Sequence, residues 1–200
     1  MRIFSQKALR ITALLGLLAM AGAAQAHTGH GTSSLFEGLV HPLGADHLLA
    51  MFAVGLWSAT QLPAGKVWQG PATFMLALVA SAALGMMGVT VPMLEQLVAL
   101  SVVLFAALLL TVRLQMPVSL GLGIVAAAAS LHGLAHGAEA PASGFATYAI
   151  GFLVTSAALH ATGAAAGLGI RRFLARQSTW LLAATGSLLG GAGLVLASSL

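Results

Sequence analysis

Six apolar runs, near residues 39–62, 72–91, 94–112, 118–136, 145–170 and 179–198, decide most of what this chain can fold into. Each is long enough for a helix of about 20 residues to cross a hydrocarbon core of about 30 Å. Breakers mark the joints: Pro63 with Gly65, Gly70 with Pro71, Pro92, Met116 with Pro117, and Pro141 with Gly144. Composition agrees, with 59% hydrophobic and 6% charged residues among 200 and a mean hydropathy of +0.99. A soluble domain of this size does not reach such values. The expected fold class is therefore all-α, a polytopic membrane helix bundle.

The first 26 residues read as a cleaved secretory signal peptide. Arg2, Lys7 and Arg10 form a basic n-region, an apolar stretch follows from about Ile11 to Ala21, and Ala24-Gln25-Ala26 offers a small-x-small cleavage site. Residues 27–38 are then expected as a periplasmic N-terminal segment, and residues 39–200 as a domain of six transmembrane helices. Without the leader's three cations, five basic side chains face four acidic ones, so the net charge of +4 gives no basic patch for nucleic acid. With the mature N-terminus outside, the cytoplasmic connections hold Lys66, Arg113 and the cluster Arg171, Arg172 and Arg176, while Glu37, Glu95 and Glu139 fall on or beside outward-facing segments. That asymmetry places the protein in a bacterial inner membrane. Trp57, Trp68 and Trp180 fall toward the cytoplasmic ends, where interfacial aromatics are expected. Gly163 with Gly167, and Gly186 with Gly190, have the spacing of helix-packing seams.

Polar side chains at membrane depth are costly, about 2.5–3.5 kcal/mol for an Asp at a helix centre, and persist mainly for function. Two stretches carry them. In the first, His41, Asp46 and His47 stand at the mouth of the first span. Pro42 suits a first helical position, so the helix is expected to begin there with His41 at its cap. A His41 outside the helix can fold toward Asp46 and His47, with Asp46 either a direct ligand or the acceptor that orients a ligating imidazole. In the second stretch, His132, His136 and Glu139 are spaced four and three apart, which sets them on one helical stripe. Gly133 and Gly137 follow the two histidines and permit close approach of another helix or an ion.

The alternating topology puts both stretches in the same outer half of the membrane. His160, near the middle of the fifth run, is either the next station inward or a core histidine bonded to a backbone carbonyl. His27 and His30 form a further candidate pair, since a free amine on His27 can chelate a metal together with its imidazole. Cysteine is absent, so a metal here is held by imidazole, carboxylate, backbone or water, which favours Ni, Co, Zn or Mn.

The chain resembles the HupE/UreJ family of nickel and cobalt permeases. The resemblance is carried by the leader, His27-Thr28-Gly29, the block from His41-Pro42 through Asp46-His47-Leu48-Leu49-Ala50-Met51 to Ala53-Val54-Gly55-Leu56-Trp57, and His132-Gly133-x-Ala135-His136-Gly137-x-Glu139. Two features depart from the family pattern. Four residues rather than the usual five separate His41 from Asp46, and Leu131 stands where the second motif often has Phe. The resemblance implies import of Ni²⁺ or Co²⁺ as cargo, with no prosthetic group and no enzymatic activity, and the motif residues as metal ligands. It also implies delivery to a metalloenzyme such as hydrogenase or urease, with a metallochaperone as a further partner. The alternative from a different class is an intramembrane zinc hydrolase, in which the same histidines hold a metal-bound water and Asp46 or Glu139 acts as base.

Overall fold

The computed structural model describes residues 34–114, 116–140 and 144–200, apart from the side chains of Val112 and Arg113. The signal-peptide segment 1–26, His27 and His30 lie outside the described residues. Within them every regular element is a helix and none is a strand. The α-helices are α1 Leu35–Val40, α2 Ala45–Gln61, α3 Gln69–Met86, α4 Leu94–Leu110, α5 Val118–Ala138, α6 Phe145–Phe173 and α7 Ser178–Ser198. Short 3₁₀ turns occupy His41–Leu43, Ala64–Lys66 and Thr111–Leu114.

The first apolar run does not form one straight helix from Pro42. Helicity begins earlier, at Leu35, because Ser34 and Glu37 make a capping box. The Glu37 N–H donates to Ser34 Oγ at 3.1 Å, and the Ser34 N–H donates to the Glu37 carboxylate at 2.9 Å. Proline at 42 then removes a backbone donor, the chain tightens into the 3₁₀ turn, and Gly44 caps α2 with an extended ψ of 144°. The two pieces meet at 72°. His41 therefore closes α1 and opens the 3₁₀ turn, instead of capping a helix that starts at Pro42.

Helix pairs are held by glycines pressed against the partner's backbone, as expected where lipid removes the hydrophobic drive for association. Gly38 of α1 lies on the backbone of Tyr148 and Phe152, and Gly151 lies on that of Leu35 and Leu39. Farther along, Gly55 of α2 meets His160 and Ala164, Gly163 meets Phe52 and Leu56, and Gly167 meets Ala59. Residue numbers rise together on both sides of this seam, so the bent α1–α2 unit runs parallel to α6. The same holds for α3 and α5: Leu78 and Ser81 face Gly133, Ala82 faces Gly137, and Gly85 faces Leu134 and Ala138. Helices α4 and α7 oppose each other, with Ala106 and Leu110 against Gly186 but Val102 and Val103 against Gly193. The Gly163/Gly167 seam is as expected, whereas on α7 the close contacts fall on Gly186 and Gly193 more than on Gly190.

Among the described residues, four helical segments are long and apolar enough to cross a membrane: Ala64–Met86, Val118–Ala138, Phe145–Phe173 and Ser178–Ser198. The bent pair Leu35–Leu43 with Ala45–Gln61 makes a fifth if taken as one span. Leu94–Leu110 is a shorter apolar helix of 17 residues. The protein is thus a multi-pass membrane bundle with four to five candidate spans among the described residues by length and composition, against the six expected.

Among the tryptophans, Trp68 and Trp180 are exposed, as interfacial anchors should be, but Trp57 is only 4% exposed. Its indole fills the space that Gly121 of α5 leaves without a side chain, so it is a core residue and not an anchor. The turn after α2 is pinned by buried Ser58, whose hydroxyl donates to Val67 O at 2.6 Å and accepts from Gly70 N–H at 3.2 Å. Arg171, at the end of α6, donates to Ala59 O at 2.9 Å and Leu62 O at 3.2 Å, capping carbonyls that α2 cannot satisfy itself. Arg171→Ala is expected to cost about 1–2 kcal/mol, since hydrogen bonds from a charged donor are stronger than neutral ones. Thermal unfolding in detergent measures it, with Arg172→Ala, whose guanidinium lies over Phe173, as the near-neutral control.

Candidate metal site

The bend at Pro42 turns His41 back over the first turn of α2, where His47 projects. From the other side α5 delivers His136, because Gly133 and Gly137 let that helix lie directly on α3. The rings of His41 and His47 have centroids 5.4 Å apart, and each lies 4.8 Å from that of His136. One ligand nitrogen from each of the three falls within 4.8 Å of the other two. His47 and His136 are buried and His41 is half-buried at the edge.

Asp46 fixes the chemistry of this cluster. Its Oδ1 lies 2.9 Å from His47 Nδ1 and also accepts the His47 backbone N–H at 2.9 Å. A carboxylate can only accept, so Nδ1 carries the ring proton and Nε2 presents its lone pair. That Nε2 lies 2.6 Å from His136 Nε2. Two imidazole nitrogens turned toward one point, one held in the ligating tautomer by a buried carboxylate, form the donor set that borderline divalent metals select. Of the two roles open to Asp46, the geometry matches the orienting one. Asp46→Asn is expected to weaken metal affinity by about 10–100-fold, read by competition against a chelating dye, with the helical circular dichroism unchanged.

The remaining sequence candidates are placed differently. His132 is fully buried one turn below His136, with its ring 4.8 Å from that of His47. Its Nε2 lies 2.8 Å from Ser101 Oγ. Ser101 donates its own proton to Val98 O at 2.6 Å, so the hydroxyl accepts from His132 Nε2–H. His132 thus backs the cluster without adding a nitrogen to the three that converge. Glu139 is the exposed C-cap of α5, with its N–H still bonded to Ala135 O at 3.2 Å, and it is not among the three donors that converge. His160 is 1% exposed and its Nδ1 lies 2.8 Å from Ser156 O, one turn back on α6. A carbonyl cannot donate, so Nε2 again holds the lone pair, and it has no hydrogen-bond partner among the described residues. Leaving such an acceptor buried and unmatched costs about 1–3 kcal/mol.

Three contributors had little signature in the sequence. Phe152 walls the cluster, with its ring 4.6 Å from His136, 5.8 Å from His41 and 6.0 Å from His47. Tyr148, one turn before it, packs 5.8 Å from His41. Ser101 could have been noticed as the single hydroxyl in α4. Phe152 could not, since nothing distinguishes it from other apolar residues of its run, whereas Tyr148 stands out as the one tyrosine of the chain. A cavity of about 460 Å³ opens between the ends of α3 and α5, lined by Gly85, Met86, Val89, Gly137 and Ala138, beside His136 in sequence.

Comparison with known proteins gives the same direction as the two histidine motifs. Residues 15–196 match the family described as HupE / UreJ protein. The chain is similar to Protein HupE of Rhizobium leguminosarum bv. viciae, at 37% identity over 166 residues, which cover 82% of this chain and 85% of that one. No solved structure matches it. The chain belongs to the HupE/UreJ family.

Proposed function

We propose that this protein is a secondary permease that imports Ni²⁺ or Co²⁺ across the bacterial inner membrane, for maturation of a metalloenzyme such as hydrogenase or urease. The observation that carries the reading is the convergence of His41, His47 and His136, with Asp46 holding His47 in the ligating tautomer. A largely buried, nitrogen-rich site suits a borderline divalent ion that must shed water to enter. Import needs no nucleotide, because a divalent ion moving inward gains about 4.6 kcal/mol per 100 mV of inside-negative potential, twice the single-charge value.

Six crossings are the topology that best suits the helix directions. Helices α3 and α5 run parallel, so the chain between them must return across the same thickness. Only α4 lies between them: its 17 residues rise about 26 Å, and the 3₁₀ turn Thr111–Leu114 adds about 8 Å. The parallel pairing of α1–α2 with α6 and the opposed pairing of α4 with α7 follow from the same alternation. Lys66, Arg113, Arg171, Arg172 and Arg176 then share the cytoplasmic face. The histidine cluster opens to the periplasm, where the mature N-terminus after a cleaved leader belongs.

The ion would enter beside His136, lose part of its hydration to His41, His47 and His136, and pass inward below His132. His132, Glu139, His160, His27 and His30 are secondary candidates for contact with it. The zinc-hydrolase alternative needs a carboxylate beside the metal to act as base. Asp46 is committed to His47, and no carboxylate joins the converging donors among the described residues. Purified protein in liposomes with an internal chelating dye tests the reading: external Ni²⁺ or Co²⁺ should enter faster as the inside-negative potential is raised. Metal binding without entry at any potential would refute it.

A further inference from the structure

Below the cluster the interior changes character at one ring. Phe74 of α3 is fully buried, with its centroid 5.6 Å from His132 and 4.9 Å from His160. Phe105 of α4 packs at 6.1 Å. His132 in turn touches His47 at 4.8 Å, so an unbroken series of rings runs from the three-histidine cluster to His160, and Phe74 is its one member without a nitrogen. His160 lies eight residues beyond Phe152 on α6, about 12 Å deeper than the cluster that Phe152 walls. Its Nε2 lone pair is buried and meets no donor among the described residues. An ordinary core position would satisfy that atom or dispense with it.

We propose that Phe74 is the gate of the ion pathway, sealing the three-histidine cluster from His160, whose Nε2 receives the ion once the ring moves aside. The inference rests on the permease reading and adds to it the residue that closes the route. An apolar ring at a constriction blocks a hydrated cation by excluding its water, and gates by dewetting rather than by charge. The flanking imidazoles give an ion that has left one nitrogen a second one on the far side.

Two measurements test it. In liposomes, Phe74→Trp is expected to slow Ni²⁺ entry about tenfold or more, and Phe74→Ala to speed it several-fold, with Ni²⁺ affinity at the cluster changed by less than about threefold. The second uses the absence of cysteine from the chain. His160→Cys should react with external 2-aminoethyl methanethiosulfonate about tenfold faster when Phe74 is Ala or Leu than when it is Phe. Phe74→Leu keeps the core filled, so the labelling comparison does not depend on the larger truncation being tolerated. Unchanged Ni²⁺ entry in the Trp and Ala variants, or labelling that ignores residue 74, would make Phe74 plain packing and overturn the gate alone. Wild-type protein that binds Ni²⁺ but moves none would instead overturn the permease reading, and the gate with it.

Discussion

His47→Ala is expected to abolish Ni²⁺ accumulation by cells and to lower the affinity of the purified protein by about 100-fold or more, beyond the 10–100-fold range typical of losing an orienting partner. The lone pair of His47 is fixed by its neighbour: Asp46 Oδ1 accepts both its ring N–H and its backbone N–H. Removing His47 deletes a proposed ligand and leaves a buried carboxylate without its main counterpart, so protein level is expected to fall along with uptake. His47→Gln separates the two effects, since the amide can still donate toward Asp46 but offers no imidazole. Its expected phenotype is normal abundance on an immunoblot with no accumulated metal. His132→Ala should also stop uptake with protein level unchanged, because His132 supports the ring of His47 and lies on the inward route. Full uptake by His47→Gln would remove the cluster from the mechanism.

The second large effect concerns the seam that delivers His136. A side chain on Gly137 would run into the backbone carbonyl of Ala82, and one on Gly133 into Leu78 O and the hydroxyl of Ser81. Backbone atoms within a packed helix pair cannot step aside cheaply, so α5 must lift away from α3. Gly137→Val is expected to destabilise the protein by about 3–5 kcal/mol, in the range of severe core defects, and to eliminate metal binding in whatever fraction folds. The control is Gly123→Ala on the same helix, where nothing lies within 4 Å of the added carbon. That change should be neutral or stabilise by about 0.5–1 kcal/mol through helix propensity. Detergent-phase thermal unfolding distinguishes the two; equal melting temperatures would contradict the seam.

The helical class, the joints between helices and the two histidine stretches were legible in the sequence, because hydrophobic length, Pro/Gly punctuation and rare polar residues are local signals. What escaped it depends on long-range packing. The 72° bend at Pro42 follows from α1 and α2 both resting on α6, through Gly38, Gly55, Gly151 and Gly163, which no single window contains. The stripe His132–His136–Glu139 was read as one set of ligands. In three dimensions only His136 adds a nitrogen to the converging set, while His132 packs its ring on His47 and is engaged by Ser101 on α4, and Glu139 caps the helix end. Trp57 looked like an interfacial anchor until Gly121, 64 positions later, supplied the hollow it fills. Phe74 and Phe152 carried no signal, since an aromatic in an apolar run is ordinary and its meaning comes from which imidazoles it meets.

X-ray absorption at the nickel edge, on purified protein loaded with one equivalent of Ni²⁺, tests the three-histidine site most directly. A three-histidine site gives imidazole outer-shell scattering from three rings, expected to fall by one ring in each of His41→Ala, His47→Gln and His136→Ala and to stay unchanged in Glu139→Gln. A spectrum without imidazole scattering, or one indifferent to all three histidine substitutions, would contradict it.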